Sequence, residues 1–121
     1  MVNKKKENDI PKETIALYDM LIHCLPGVER KGATMPYTAI NGNMFSFINK
    51  EGLLSLRLSS DQRNKFIEKY KTALCIEHGT VMKEYVRVPE SLFMKTEELK
   101  PWFKLSFEYA KALKPKSVIK K

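Results

Sequence analysis

At 121 residues, with a hydrophobic fraction of 43% and one Trp, five Tyr and six Phe, the chain suffices for one domain with an ordinary core. Its net charge of +8 suggests a polyanion partner until it is located: residues 1–9 carry +1, residues 114–121 carry +4, and residues 10–113 only +3. No apolar stretch approaches the ~20 residues that span a bilayer, and Met1 to Lys6 leads into Glu7-Asn8-Asp9 rather than an apolar signal core. The expectation is a cytoplasmic domain over residues 10–113, flanked by basic tails at 1–9 and 114–121.

In chain order the pattern opens with a helix. Asp9 is the expected N-cap, and Pro11 falls in the first turn, where a missing N–H costs nothing. Ile15, Tyr18, Ile22 and Leu25 recur at helical steps, Leu21 widens the stripe, and Pro26-Gly27 ends it. After a polar connection over residues 28–34 come three strands. The first spans Met35 to Ile40, with Pro36 placing its start at a sheet edge. Asn41-Gly42 predicts a type I′ hairpin turn into Met44 to Ile48. Alternation there puts Phe45 and Phe47 on one face and Met44, Ser46 and Ile48 on the other. Lys50-Glu51-Gly52 turns into Leu53 to Leu58, with Leu54, Leu56 and Leu58 inward and Ser55 and Arg57 outward.

Ser59 and Gln62 have capping-box spacing and open a second helix that buries Phe66, Ile67 and Tyr70. A brief strand is expected at Ala73 to Ile76, a turn at Gly79, and a strand at Val81 to Val88, where Met82, Val86 and Val88 oppose Lys83 and Arg87. In the last helix Thr96 is the expected N-cap, with Glu97 and Glu98 at the positive end of the dipole. Pro101 then lies too deep, which predicts a delayed start or a local distortion. Leu99, Trp102, Phe103, Leu105, Phe107, Tyr109 and Leu113 cover more than one face. Such a helix is sandwiched, either between the sheet and another element or at a homodimer contact. The fold class that follows is a two-layer α+β domain. Its antiparallel sheet of about five strands is packed by N-terminal, middle and C-terminal helices.

Chemistry is sparse. Cys24 and Cys75 lie in separate elements without CxxC spacing, and buried thiols are expected rather than a redox pair or zinc site. His23 sits at a helix end, and His78 precedes Gly79 in a turn with Glu77 pointing the other way. No HExxH, phosphate loop, GxGxxG or GxSxG occurs. No catalytic residue, metal or cofactor is therefore expected. The candidate interaction surface comprises Arg30 and Lys31 in the loop before the first strand, Tyr37 in that strand, and Arg57, Lys83, Tyr85 and Arg87 on a strand pair. If the last four share an outer sheet face, cations and an aromatic ring are displayed together, as phosphate and base contacts require. The competing reading is an ordinary charged solvent face.

Several segments then carry a resemblance through their order. They are Leu25-Pro26-Gly27-Val28, Asn41-Gly42-Asn43-Met44-Phe45, Leu53-Leu54-Ser55-Leu56-Arg57-Leu58, Met82 through Pro89, and Leu99-Lys100-Pro101-Trp102-Phe103. Over residues 14 to 114 the chain resembles the amino-terminal domain of TfoX/Sxy proteins, similar in fold to the YjbR group. Gly32-Ala33-Thr34-Met35-Pro36-Tyr37 stands where that family has a Met-Phe-Gly-Gly-like segment. The resemblance implies an antiparallel sheet packed by helices, and a relation to regulators of competence gene expression. The leading expectation is a non-enzymatic regulatory or protein-interaction domain, with an unidentified protein or a second copy as partner. One alternative is a weak nucleic-acid binder using the tails and the sheet face. The other is a small-ligand protein or enzyme with a pocket under the Met35–Ile40 strand.

Overall fold

The computed structural model describes residues 10–32 and 34–115. The expected cap Asp9, the tail 1–9, Ala33 and residues 116–121 of the C-terminal tail lie outside that range. Helix α1 (Lys12–Ile22) has Pro11, not Asp9, at its cap position, without a side-chain cap bond. It ends before Leu25, because the Cys24 and Leu25 N–H groups turn back onto the Leu21 and Ile22 carbonyls. Leu25 still reaches the core.

The sheet comprises β1 (Tyr37–Ile40), β2 (Asn43–Ile48), β3 (Leu54–Arg57), β4 (Leu74–Glu77) and β5 (Thr80–Arg87), antiparallel throughout in the order β1-β2-β3-β5-β4. Two of its hairpins close through paired left-handed residues. Asn41 and Gly42 have φ of +56° and +81°, and His78 and Gly79 have +53° and +76°, the signs a two-residue type I′ turn demands. Between β2 and β3 the Asn49 side-chain oxygen accepts from the Glu51 and Leu53 N–H groups, at 2.9 and 3.0 Å.

Helix α2 (Ser60–Tyr70) starts with the expected capping box of Ser59 and Gln62. A short helix α3 (Glu90–Phe93), which no sequence signal announced, leads into α4 (Thr96–Ala112). Lys95 rather than Thr96 holds the cap position of α4, and Thr96 is its buried first residue. Nor is the start delayed: Pro101 lies inside the helix at an exposed position. The wide apolar circumference of α4 is largely covered within the chain. It packs against β1, β2, β3, α1 and α3, which buries Leu99, Phe103 and Ala110, while Leu105 is exposed. Helix α2 covers β5, and Trp102 of α4 meets it edge-on at Phe66, centroids 5.1 Å apart, while donating to the Tyr70 hydroxyl at 3.2 Å.

One irregularity reverses an expectation. Thr38 pairs with Ser46 but Ala39 pairs with Met44, so Phe45 is an extra residue in β2. A bulge of this kind shifts the alternation by one. Phe45 and Ile48 therefore enter the helix-side core, whereas Phe47 faces the opposite side; the two phenylalanines do not share a face. The helix-side core absorbs the change with polar partners. Ser46 meets the Tyr18 hydroxyl at 2.6 Å and also Thr38, and Ser106 of α4 donates to the bulged Phe45 carbonyl at 2.8 Å.

Candidate functional site: the concave face of the sheet

The face of the sheet turned away from the helices holds a second, smaller cluster. Phe47, Cys75 and Tyr85 are buried there, with Tyr37, Met44 and Met82 packed against them, and every one of these side chains comes from a strand. Ser55 belongs to the same face of the central strand β3. It was expected to face out, yet it is fully buried although, among the described residues, no helix lies over it.

The cover is the β4–β5 hairpin. Leu74 pairs with Val86, but the next residue, Cys75, pairs with Met82, so Lys83, Glu84 and Tyr85 have no partner in β4. This three-residue surplus in β5 bends the hairpin back over the sheet and flips its alternation. Met82 consequently lies with Tyr85 on the concave face and not with Val86 and Val88 in the main core, as the sequence pattern had grouped them. The bend is measurable: β2 and β4 are three strand intervals apart, roughly 14 Å in a flat sheet. Yet Asn49, just past β2, donates to Glu77 of β4 at 3.0 Å. The same Glu77 oxygen accepts from Arg87 at 3.2 Å, and Arg87 also reaches the Ile76 carbonyl and the Ser55 hydroxyl, at 3.1 and 3.4 Å.

At the other end of the face, Arg57 lies over the Tyr85 ring, 5.8 Å from its centroid, and pairs with Glu84 at 2.7 Å. The Tyr85 hydroxyl donates to the Met44 carbonyl at 2.8 Å, and its ring meets Phe47 edge-on. Burial pushes the Tyr85 phenol up to about 12, against the lowering effect of Arg57. Burial would also raise the Glu84 carboxyl. Hydrogen bonds from Arg57 and Tyr109, with the charges of Arg57 and Arg63, outweigh it and hold the group below its ordinary value. Burial likewise raises the Cys75 thiol, which touches Glu77 and Met82 at 3.7 and 3.9 Å. Both cysteines are free. His78, the nearest imidazole in sequence, is exposed in the hairpin turn.

Between the folded-back hairpin and β1–β2 lies a depression of about 450 Å³, walled by Met35, Tyr37, Met44, Phe47 and Met82, with Glu77 and His78 at its margin. Of the sequence candidates, Tyr37, Arg57, Tyr85 and Arg87 therefore meet on this face. Lys83 is exposed at the bend of β5. Arg30 is elsewhere, bound to Asp19 of α1 at 2.8 Å, and Lys31 joins β1 through its backbone, exchanging hydrogen bonds with Tyr37 at 2.8 and 2.9 Å. Sequence reasoning missed Met44, Phe47, Cys75, Glu77 and Met82 as members of one site. The only available signal was the surplus of apolar residues on both faces of these strands.

Among the described residues no helix is long and apolar enough to cross a membrane. No curated protein and no solved structure matches the chain. The family model of the TfoX N-terminal domain matches residues 36–110, from the residue before β1 almost to the end of α4, and leaves out α1 with the Leu25-Pro26-Gly27-Val28 segment. That span is more than half of the chain and contains every residue of the concave face apart from Met35, and the chain belongs to the TfoX N-terminal domain family.

Proposed function

We propose that this protein is a non-catalytic recognition domain that binds a protein partner on the concave face of its sheet, in a regulatory role of the kind its family resemblance implies. The observation that carries the proposal is the strand-built apolar cluster on a face that no helix covers among the described residues, bordered by two ion pairs whose charges cancel, Arg57 with Glu84 and Arg87 with Glu77. An apolar centre with a polar rim is the anatomy of a protein interface. A nucleic-acid interface needs the same two guanidinium groups for phosphate, and each already has a carboxylate. The Tyr85 ring needed for base stacking is buried under Arg57.

The test compares Met35→Glu, at an exposed position beside the depression, with Met94→Glu, at an exposed position on the helix side. A partner identified by affinity capture is titrated calorimetrically against both. Loss of about tenfold or more in affinity for Met35→Glu alone supports the proposal; equal affinities overturn it. Fluorescence anisotropy with a labelled single strand at ~50 and ~200 mM salt tests the other reading. Binding at low salt that persists after residues 114–121 are removed would favour nucleic acid.

A further inference from the structure

The apolar character of the concave face conceals a set of sulfur donors. Cys75 and Met82 face each other across β4 and β5, and the Cys75 Sγ lies 3.9 Å from the Met82 Sδ. An ion about 2.3 Å from each of these sulfurs would see them at an angle of about 115°, close to the trigonal value. Met44 packs against the same cluster, and Met35, Met44 and Met82 all border the depression. Met82 thus joins the open depression to the buried Cys75, so the thioether side is the way in for an ion. Donor type and charge then select that ion. Zinc and the harder divalent cations are held by groups of His, Cys, Asp and Glu, and among the described residues no three or more of these converge on a cation site. Thiolate and thioether sulfurs are the donors that select monovalent copper. One thiolate with neutral thioethers balances a single positive charge, whereas a divalent ion would leave a net charge on an apolar wall. Glu77, 3.7 Å from the Cys75 Sγ, does not alter that sum, because it is paired with Arg87.

We propose that Cys75 and Met82 form a Cu(I) site on the concave face, with the third coordination position open to the depression and its further thioethers. Binding exchanges a proton for the ion: the Cys75 S–H bond breaks, a Cu–S bond forms, the proton leaves to water and the copper stays monovalent. The site requires no protein partner, and its test uses none. Cu(I) is added without oxygen, as its bicinchoninate complex, to the full chain with labelled methionine methyl groups. One equivalent is expected to leave the chelator. The Met82 methyl signal should move to a bound position, while those of Met20 and Met94, exposed elsewhere, stay in place. Met82→Leu, which keeps the volume of the side chain, should weaken retention by about tenfold or more, the loss typical of even an outer partner of a metal site. Cys75→Ser should abolish retention, and Cys24→Ser, which removes the other free thiol, should leave it unchanged. If Cys75→Ser does not fold, Met82→Leu and Cys24→Ser decide. No transfer from the chelator, full retention by Met82→Leu or by folded Cys75→Ser, loss in Cys24→Ser, equal shifts at Met20 and Met94, or Zn(II) held as tightly as Cu(I) would each overturn the proposal.

Discussion

Ser46 shows how much one buried hydroxyl can hold. It touches the hydroxyls of Tyr18 and Thr38, all three groups fully buried, so α1 and β1 are both tied to β2 through it. Ser46→Ala strands two buried hydroxyls, for an expected loss of about 2–3 kcal/mol, whereas Tyr18→Phe leaves the Ser46–Thr38 bond intact and should cost about 1 kcal/mol. Urea denaturation midpoints give the order, and a Tyr18→Phe loss equal to or larger than that of Ser46→Ala would refute the shared network. Glu84 supplies a second residue-level expectation. Its carboxyl is held below the ordinary value of 4.5, so its contribution to stability is present above that value and is lost as pH falls through the lower folded-state value. Glu84→Gln should flatten the decline in stability below about pH 4.5, seen by denaturation at stepped acid pH. The change will be small, because the Glu84 side chain is 38% exposed and solvent screens such pairs. None of these partnerships was legible in sequence. Ser46 looked like one more polar residue in an alternating strand, and its role depends on Thr38 and Tyr18 arriving from two other elements.

At the scale of elements, legibility followed locality. The Asn41-Gly42 turn, the Ser59–Gln62 capping box and the leucines of β3 are written within four or five residues, and each lies where the local pattern put it. The bulge at Phe45 and the three-residue shift in β5 depend on which strand lies alongside. That is why Phe47 and Met82 were assigned to the wrong face and the concave cluster was not assembled in advance. Pro101 is a different case: α4 starts at Thr96 and carries the proline in its interior, not behind a delayed start. A proline inside a helix removes a backbone hydrogen bond, yet Leu99, Phe103, Ser106 and Ala110 give α4 enough buried surface to run through it. The cost should remain recoverable. Pro101→Ala, at an exposed position, is expected to stabilise the protein by about 1–3 kcal/mol, raising the denaturation midpoint. An unchanged or lower midpoint would mean that the proline gains as much by restricting the unfolded chain.

For the whole molecule, the feature that creates the site is the return of the β4–β5 hairpin over its own sheet, and Asn49 fastens its β4 arm. Asn49 bridges the β2–β3 turn to Glu77, and its oxygen separately organises that turn by accepting from Glu51 and Leu53. The two functions can be separated. Asn49→Asp keeps the accepting oxygen and so the turn, but replaces the donor to Glu77 with a like charge. The loss of a hydrogen bond to a charged group, partly screened, amounts to about 1–2 kcal/mol locally. Hydrogen exchange of the Cys75–Ile76 and Val81–Met82 amides should then accelerate by about tenfold, while the Leu54–Leu56 amides of β3 keep their protection. Uniform acceleration across the sheet would show that Asn49 serves global stability and not the hairpin. No acceleration would show that the irregular stretch Lys83–Tyr85 alone sets the bend. With the hairpin released, the wall formed by Met82 moves away from Met44 and Phe47. The same variant should therefore shift the Met44 and Met82 methyl signals of the labelled chain and leave those of Met20 and Met94 in place, which ties the shape of the site to the Asn49–Glu77 contact.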